Sequence, residues 1–168
     1  MTNILIISDT HGHLDSKLGT HIHECHEIWH AGDIGSPETL NELEKQKKTI
    51  AVYGNIDGGE LRTRLHKTVV FERENIKVLI THIAGSPGKY PEWLIQLIKS
   101  EKPMILICGH SHILKVVKDE KFGLLHINPG ACGVHGFHHV KTVLKMSLHE
   151  GKITSLAAVE LGKRSSIS

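Results

Sequence analysis

The sequence has few cysteines and no large excess of positive or negative charge, and each of these shortages excludes a class of protein. The three cysteines, Cys25, Cys108 and Cys132, are odd in number and share no metal-type spacing. We interpret them as reduced thiols rather than as disulfides or a thiolate metal site. The formal net charge is only +2, and the basic residues are scattered along the chain. The sequence therefore contains no clear nucleic-acid site.

Long hydrophobic runs, internal repeats and low-complexity tracts are also missing. The N-terminal run ILII follows no basic segment and is too short for a signal peptide, and no stretch approaches membrane-spanning length. We therefore expect a cytoplasmic protein without a membrane partner. A chain of 168 residues is long enough for one domain with a hydrophobic core. We predict that this domain covers 1–162 and that 163–168 form a C-terminal tail.

Short apolar runs alternate with helix-like segments in the first two thirds of the chain. Strands are predicted at 3–8, 27–31, 49–53, 67–73, 75–81 and 104–108, and helices at 15–24, 36–46 and 90–100. The last third is strand-like throughout and predicts a β-rich closing sheet. The pattern indicates an α/β fold in which two β-sheets pack as a sandwich flanked by helices. The segment between Asn55 and His82 is too short to hold a cap domain.

Polar side chains follow five of the predicted strands at the point where each strand ends. They are two carboxylates, one amide and four imidazoles: Asp9, His11, Asp33, Asn55, His82, His110 and His112. Carboxyl ends of neighbouring strands line the edge of an α/β sheet where ligands bind, so we expect one shared rim. Each histidine alone would more often be a hydrogen-bonded core or turn residue. Their joint position at five strand ends favours ligands.

Nitrogen and oxygen donors without thiolate are typical of a divalent metal site. The set suits Mn²⁺, Fe or Zn²⁺. Seven donors are too many for one tetrahedral ion, but they suit two ions that share a bridging carboxylate. We therefore expect two divalent metal ions as cofactors, with Mn²⁺ as the first candidate and Ni²⁺, Zn²⁺ or Fe as alternatives.

The ordered motifs resemble the calcineurin-like metallophosphoesterase family, whose blocks run D-x-H, G-D, G-N-x-(D/E), H and G-H-x-H. All five blocks are present, in order, between Asp9 and His112. The short chain, the GHSH block and the segment INPGA at 127–131 look most like the small phosphodiesterase branch of that family. That branch also contains the non-catalytic scaffold subunit of retromer.

The resemblance implies a role for each of the seven residues. One metal would be held by Asp9, His11 and His112, the other by Asn55, His82 and His110, and both by Asp33. It implies hydrolysis of a small phosphodiester substrate by a metal-bridging hydroxide, with Asp33 and Asn55 as catalytic residues. The alternatives are a phosphomonoesterase or nucleotidase, and a retromer-like interaction scaffold. We also expect a homodimer or a higher homo-oligomer.

One position departs from the family pattern. Many members carry histidine between the asparagine and the aspartate of the third block, and that histidine protonates the leaving oxygen. Ile56 stands there in this sequence and cannot donate a proton. Asp57 either loses the imidazole that it would orient or only shapes the turn with the glycines that follow it. We therefore expect substrates with good leaving groups to be favoured.

The segment ACGVHGFHHVK at 131–141 is the second candidate region. In the family, the chain returns toward the metal rim after the preceding NPG. We predict that His138 and Lys141 contact the substrate, and His135 and His139 are also within reach of a phosphate by this reasoning. The alternative is an exposed polar loop. Outside the rim, His30 is predicted to be a hydrogen-bonded interior histidine, because it lies within a strand.

Overall fold

A computed structural model describes residues 1–164, so residues 165–168 of the predicted C-terminal tail lie outside the described part of the chain. Within 1–164 the chain forms ten strands and four helices. The strands are β1 (Thr2–Ile7), β2 (Glu27–His30), β3 (Lys48–Ala51), β4 (Thr68–Arg73), β5 (Ile76–Thr81), β6 (Ile105–Ile107), β7 (Leu114–Asp119), β8 (Leu124–Pro129), β9 (Val140–His149) and β10 (Lys152–Lys163). The helices are α1 (Leu18–Glu24), α2 (Pro37–Gln46), α3 (Gly59–Arg64) and α4 (Glu92–Glu101).

The strands form two mixed sheets, which confirms the predicted fold class. In the described residues, the first sheet has the order β10-β9-β1-β2-β3 and the second has the order β4-β5-β6-β8-β7. Strands β1, β2 and β3 are parallel to one another, and so are β5, β6 and β8. Parallel neighbours end at the same edge of a sheet, so the loops that follow them emerge side by side.

Apolar side chains from both sheets fill the space between them. Ile4 and Ile6 of β1 belong to one buried cluster with Trp29 of β2 and with Val78 and Ile80 of β5. Full burial of each such side chain contributes about 1.5–3 kcal/mol. The two sheets therefore pack face to face, as the sequence predicts.

Helices cover the outer faces of the sheets. Leu5 and Ile7 of β1 point away from the inner core and cluster with Leu18 and Ile22 of α1 and with Leu43 of α2. Helix α4 covers the second sheet in the same way. Because β1 is buried on both faces, its sequence is a continuous apolar run rather than an alternating one.

Helices α2 and α4 lie within two residues of their predicted ranges. Ser36 caps α2, since its Oγ accepts a hydrogen bond from the backbone N–H of Thr39 at 3.2 Å, and Pro37 occupies the first turn. Helix α1 begins at Leu18, three residues later than predicted. The six-residue helix α3 has no counterpart among the predicted helices. In the described part of the chain, none of the helices combines the length and apolar character that crossing a membrane requires.

The strand-rich last third does not form a closing sheet of its own, which corrects the sequence-based expectation. Strands β7 and β8 extend the second sheet, whereas β9 and β10 join the first. The reason is burial: Leu144, Met146 and Leu148 of β9 lie in the core between the sheets. Pairing of β9 with β1 also converts β1 from an edge strand into a central one. Strand β10 continues to Lys163, one residue into the predicted tail.

Candidate metal centre

All seven predicted rim residues lie in loops that follow the carboxyl ends of β1, β2, β3, β5 and β6. Their donor atoms form two groups, and within each group these atoms lie within 4.8 Å of one another. The first group is Asp9, His11 and His112, and the second group is Asp33, His82 and His110. The amide oxygen of Asn55 lies 3.0 Å from His110 Nδ1 and so adjoins the second group.

Asp33 lies between the two groups. Its Oδ2 atom is 3.5 Å from His11 Nε2 in the first group and 3.2 Å from His82 Nε2 in the second group. Asp9 Oδ1 is 3.2 Å from His112 Nε2 and 3.8 Å from His82 Nε2, so the groups are contiguous. Asp33 Oδ2 therefore lies in the position that a carboxylate shared by two ions requires.

The backbone of the rim is strained at the candidate ligands themselves. Five of the seven have left-handed backbone with positive φ: Asp9 (55°), His11 (46°), Asp33 (54°), His110 (70°) and His112 (60°). Such conformations cost on the order of 1–3 kcal/mol each in residues other than glycine and cluster at functional sites. Hydrogen bonds between neighbouring loops hold them, such as Asp9 N–H to Gly32 O at 3.0 Å and His11 N–H to Asp33 O at 3.0 Å.

Each carboxylate uses one oxygen to fix its orientation and directs the other into the centre. Asp9 Oδ2 accepts hydrogen bonds from Ser8 Oγ at 2.7 Å and from the backbone N–H of His110 at 3.1 Å, which leaves Oδ1 for the site. Asp33 Oδ1 accepts from the backbone N–H of Ile56 at 3.1 Å, which leaves Oδ2. Fixed donors of this kind set the geometry of a metal ligand.

Both carboxylates are held in the ionised form. Burial alone would raise the pKa of Asp9, but the imidazoles of His112 and His82 beside it outweigh burial, so the pKa of Asp9 lies below its ordinary value. Burial acts in the same direction on Asp33, yet the imidazole of His82 beside it keeps the pKa of Asp33 below its ordinary value. Ionised oxygens are the form that binds a cation.

The tautomer of His82 is fixed by the backbone. Its Nδ1 atom donates a hydrogen bond to the carbonyl oxygen of Ala31 at 2.7 Å. The lone pair of the neutral ring therefore lies on Nε2, which faces Asp33. A ring nitrogen that donates to a carbonyl while the other binds is the common arrangement of histidine metal ligands.

The polar atoms without partners show that this donor set fits metal ions. Among the described residues, Asp9 Oδ1, His11 Nε2 and His82 Nε2 are buried and have no hydrogen-bond partner. A buried polar atom is normally satisfied, because leaving it without a partner costs about 1–3 kcal/mol. The three atoms converge on one rim, and a cation would satisfy carboxylate oxygens and imidazole lone pairs together.

Two glycines of the motifs leave room for the ligands. A Cβ atom at Gly54 would lie 2.0 Å from Asp33 Oδ1, and a Cβ atom at Gly109 would lie 2.0 Å from Ser8 Oγ and 2.8 Å from Asp9 Oδ2. Any larger residue at either position would displace the carboxylate beside it. The glycines of the G-N and G-H blocks therefore position ligands that come from other loops.

Asp57 shapes the turn rather than orienting a catalytic side chain. Its Oδ2 accepts from the backbone N–H groups of Ile34 at 3.0 Å and Gly54 at 2.8 Å, and its Oδ1 accepts from Gly35 N–H at 2.8 Å. Asp57 is buried, whereas the side chain of Ile56 is 49% exposed. The structure thus decides between the two interpretations of Asp57 in favour of loop shaping.

The loop at 131–141 returns to the rim, as the resemblance implies. The ring of His135 stacks on His11 with centroids 5.2 Å apart, and His138 meets the ring of His112 edge-on at 5.2 Å. His138 Nε2 also donates to the carbonyl oxygen of Gly133 at 2.8 Å. His138 therefore lies where a substrate contact is predicted. His139 is exposed.

Lys141 departs from its prediction as a substrate contact. It lies buried in β9, and its ammonium group binds the carboxylate of Asp15. The reason is the strand alternation of β9, which turns Lys141 toward α1 and the loop before it rather than toward the rim. The structure therefore gives Lys141 a structural partner.

Two supporting residues were not assigned a role at the rim from the sequence. Ser8 is the last residue of the predicted first strand, and only the fold reveals that its hydroxyl orients Asp9. His30 is interior, as predicted, and additionally braces the rim: it accepts from Gly32 N–H at 3.1 Å and lies 3.0 Å from Thr10 Oγ1. Burial lowers the pKa of His30 to about 4, so this ring is neutral at pH 7.

The fold and this rim define a class of hydrolase. A family model described as the calcineurin-like phosphoesterase superfamily domain matches residues 2–151. The chain belongs to the calcineurin-like phosphoesterase superfamily, which confirms the resemblance given by the motifs. The family is metal-dependent, in agreement with the two donor groups.

Two proteins that are similar to this chain are described as phosphoesterases. A probable metallophosphoesterase of Mycoplasma pneumoniae is 30% identical over 164 residues, which cover 93% of this chain and 96% of the relative. A solved structure described as a novel archaeal phosphodiesterase has a TM-score of 0.72 at 25% identity and covers 95% of this chain and 99% of that chain.

The fold is also that of a protein-sorting factor. Vacuolar protein sorting 29 from Entamoeba histolytica, solved as a complex with Zn²⁺, has a TM-score of 0.70 at 18% identity. The match covers 95% of this chain and 98% of that chain. At this identity the likeness shows the fold alone.

Proposed function

We propose that the protein is a phosphodiesterase that uses two divalent metal ions. The observation that carries the proposal is the convergence of three unsatisfied buried atoms, Asp9 Oδ1, His11 Nε2 and His82 Nε2. Asp9 Oδ1 lies 3.9 Å from His11 Nε2 and 3.8 Å from His82 Nε2. A rim built in this way around Asp33 binds cations in preference to any neutral ligand, because both carboxylates are ionised.

Seven residues would hold the two ions. Asp9, His11 and His112 would hold one ion, Asn55, His82 and His110 the other, and Asp33 both. When bound, such ions supply a nucleophile at neutral pH by lowering the pKa of water and neutralise charge on the phosphoryl oxygens. The nitrogen and oxygen donors make Mn²⁺ the first candidate, and Zn²⁺ is the alternative that the zinc complex of the Entamoeba protein supports.

The chain's own groups orient the centre through their hydrogen bonds and packing. Asp33 keeps one oxygen on the backbone of Ile56 and presents the other to both groups, so it fixes their separation. Asn55 adds a neutral oxygen, which completes a shell without raising the negative charge that would repel a phosphate. His135 and His138 border the first group and extend the rim toward the substrate.

The openness of the rim supports diesters over monoesters. Asn55 and His110 are exposed, and the chain between β3 and β5 holds only the short helix α3 and strand β4. A diester carries organic groups on both sides of the phosphorus, and an uncapped rim accommodates both groups. The similarity to an archaeal phosphodiesterase supports the same assignment. A monoesterase of nucleotidase type is the alternative within the enzymes.

A scaffold role is the second candidate function, because the fold is shared with vacuolar protein sorting 29. A scaffold needs no complete metal shell, whereas this chain brings every donor type to the rim. The full donor set therefore favours an enzyme. A stable protein partner in pull-downs, together with undetectable hydrolysis under all metal conditions, would reverse this preference.

Metal reloading tests the proposed activity. Chelator-treated protein is reloaded with Mn²⁺, Ni²⁺, Zn²⁺ or Mg²⁺ and assayed on bis(p-nitrophenyl) phosphate and on p-nitrophenyl phosphate. We expect Mn²⁺ to restore hydrolysis of the diester above that of the monoester. Asp33→Ala should lower kcat by at least about 10³-fold, because both ions lose a ligand. Glu38→Gln on α2 is the matched control, since it removes an exposed carboxylate.

Two results would contradict the proposal. Diester hydrolysis that survives in Asp33→Ala would place the activity elsewhere. A higher kcat/KM for the monoester with every metal would replace the diesterase by the monoesterase.

A further inference from the structure

A cavity of about 530 Å³ opens directly beside the second metal group. Asn55 and His82 form one wall of this cavity. We call the cavity the Trp93 pocket, and six further residues line it: Tyr53, Arg62, Lys67, Ile83, Pro91 and Trp93. The volume lies in the range of small-ligand sites. A larger cavity of about 670 Å³ exists beside α4, but none of the candidate metal ligands lines it.

The Trp93 pocket carries positive charge without compensation. Arg62 Cζ lies 4.7 Å from the ring centroid of Tyr53, and Lys67 Nζ lies 4.7 Å from that of Trp93. Within residues 1–164 neither cation forms an ion pair, although Arg62 Nε donates a hydrogen bond to the backbone carbonyl oxygen of Asp57, and none of the described residues that line the pocket is acidic. Two cations that face a cavity and lack a carboxylate partner form a site for an anion.

The pocket also exposes apolar surface to solvent. Trp93 is 40% exposed and Ile83 is 44% exposed, although both lie next to the polar rim. Flat aromatic walls next to cations suit a flat ring, because aromatic rings stack on one another irrespective of their substituents. The pocket therefore combines a stacking surface with an anion site.

We propose that the Trp93 pocket binds the nucleoside phosphate part of the substrate. An aromatic base stacks in the pocket against Trp93, and a second phosphate pairs with Arg62 and Lys67. The scissile phosphodiester lies at the adjoining metal centre, and for this last point the proposal rests on the proposed function. The substrate class is then a phosphodiester of a nucleotide rather than a simple alkyl diester.

The tryptophan content of the chain provides a direct measurement of binding. The chain has two tryptophans. Trp29 is fully buried between the sheets, so a ligand that quenches fluorescence from solution reports on Trp93. The probes are ADP, adenosine and inorganic pyrophosphate, each titrated into the full chain before and after chelator treatment, with calorimetry as a second readout. We expect ADP to bind at least about tenfold more tightly than adenosine or pyrophosphate, because it offers both recognised groups.

Two variants and a control separate the parts of the pocket. Lys67→Met should weaken ADP binding by about tenfold and leave adenosine binding unchanged, because it removes a charge-assisted contact to phosphate. Trp93→Leu should weaken both ligands in the calorimeter. Lys99→Met on α4 makes the same charge change outside the pocket and should leave ADP binding unchanged.

The outcomes distinguish this proposal from the proposed function. Equal affinities for ADP and adenosine, or equal effects of Lys67→Met and Lys99→Met, would overturn the assignment of the pocket. If ADP does not bind while bis(p-nitrophenyl) phosphate is hydrolysed with Mn²⁺, the pocket proposal alone fails. ADP binding that follows the expected variant pattern without any diester hydrolysis would support the pocket and contradict the proposed function.

Discussion

The hydrogen bonds of Asp33 and Asp57 show that these two side chains have different roles at the rim. Asp33 is held by Ile56 N–H through one oxygen and offers the other to both metal groups. Asp57, although it stands in the same motif as Asn55, is fully engaged by three backbone N–H groups. The side chain of Ile56 is half-exposed and unable to transfer a proton.

Leaving-group dependence is the prediction at this scale. General-acid assistance typically contributes 10²–10⁴-fold, so its absence at Ile56 should make aryl diesters far better substrates than alkyl diesters. Ile56→His should raise the alkyl rate by only about tenfold, because both carboxylate oxygens of Asp57 already accept backbone hydrogen bonds that compete with the new imidazole. The measurement is the slope of log rate against leaving-group pKa in the wild type and in Ile56→His.

Ile153→His on β10 is the control, since it introduces the same side chain at an exposed position away from the rim. A shallow slope in the wild type that becomes steep only in His138→Ala would show that His138 is the acid. That result would contradict our interpretation of Ile56.

Two lysines of strand β9 form ion pairs, one buried and one exposed. Lys141 of β9 reaches the loop before α1 and binds Asp15, and both side chains are about nine-tenths buried. Lys145, also on β9, binds Glu24 of α1 at 2.5 Å, but these side chains are 40% and 48% exposed. Breaking a buried pair leaves an uncompensated charge, whereas an exposed pair contributes little.

The pH dependence of stability follows from the buried pair. Burial opposes ionisation of Asp15, but the hydrogen bond with Lys141 outweighs it, so the pKa of Asp15 lies below its ordinary value of 3.8. A depressed pKa contributes stability above the unfolded value, and this contribution is lost as the pH falls through the folded value. Lys141→Met should therefore lower the free energy of unfolding by roughly 3 kcal/mol at pH 7 and by less near pH 3.

Urea denaturation at both pH values measures this effect. Lys145→Met should cost less than about 1 kcal/mol and serves as the matched control on the same strand. An increase in KM with unchanged stability in Lys141→Met would instead support the original prediction that Lys141 contacts the substrate.

At the scale of the whole molecule, the metal centre joins the two sheets. Asp9, His11 and Asp33 follow strands of the first sheet, whereas His82 and His110 follow strands of the second. Each donor group takes ligands from both sheets. Ions bound there would link the sheets at one edge, in addition to the apolar core between them. The cytoplasmic location and the homo-oligomeric state stay predictions.

Thermal stability should therefore depend on the metal. A ligand at 100 times its Kd stabilises the native state by about 2.7 kcal/mol per site, which corresponds to a rise in Tm of about 5–10 °C for a chain of this size. Because two sites are filled, we expect Mn²⁺ to raise Tm by roughly 10–20 °C in chelator-treated protein and in Glu38→Gln. Asp33→Asn should reduce the shift by more than half, since it weakens both sites. Equal shifts in Asp33→Asn and the wild type would show that the metal binds elsewhere.

Local patterns in the sequence were sufficient for the parts of this protein that depend on short-range physics. The strand over the apolar run of β1 and the helix α2 each follow from neighbouring residues, and the structure confirms both predictions. The motif residues could be predicted to share a rim because parallel strands end at a common edge, and the structure brings all seven there.

Long-range packing decided the rest. Neighbouring residues do not reveal that β9 would enter the first sheet, because that choice depends on burying Leu144 and Met146 against the second sheet. The same applies to Lys141, which is bound by a carboxylate 126 positions away in the sequence. The sequence by itself determined which residues are chemically able to form the site. The tertiary structure decided which of them face it, because the direction of a side chain is fixed by partners from distant segments.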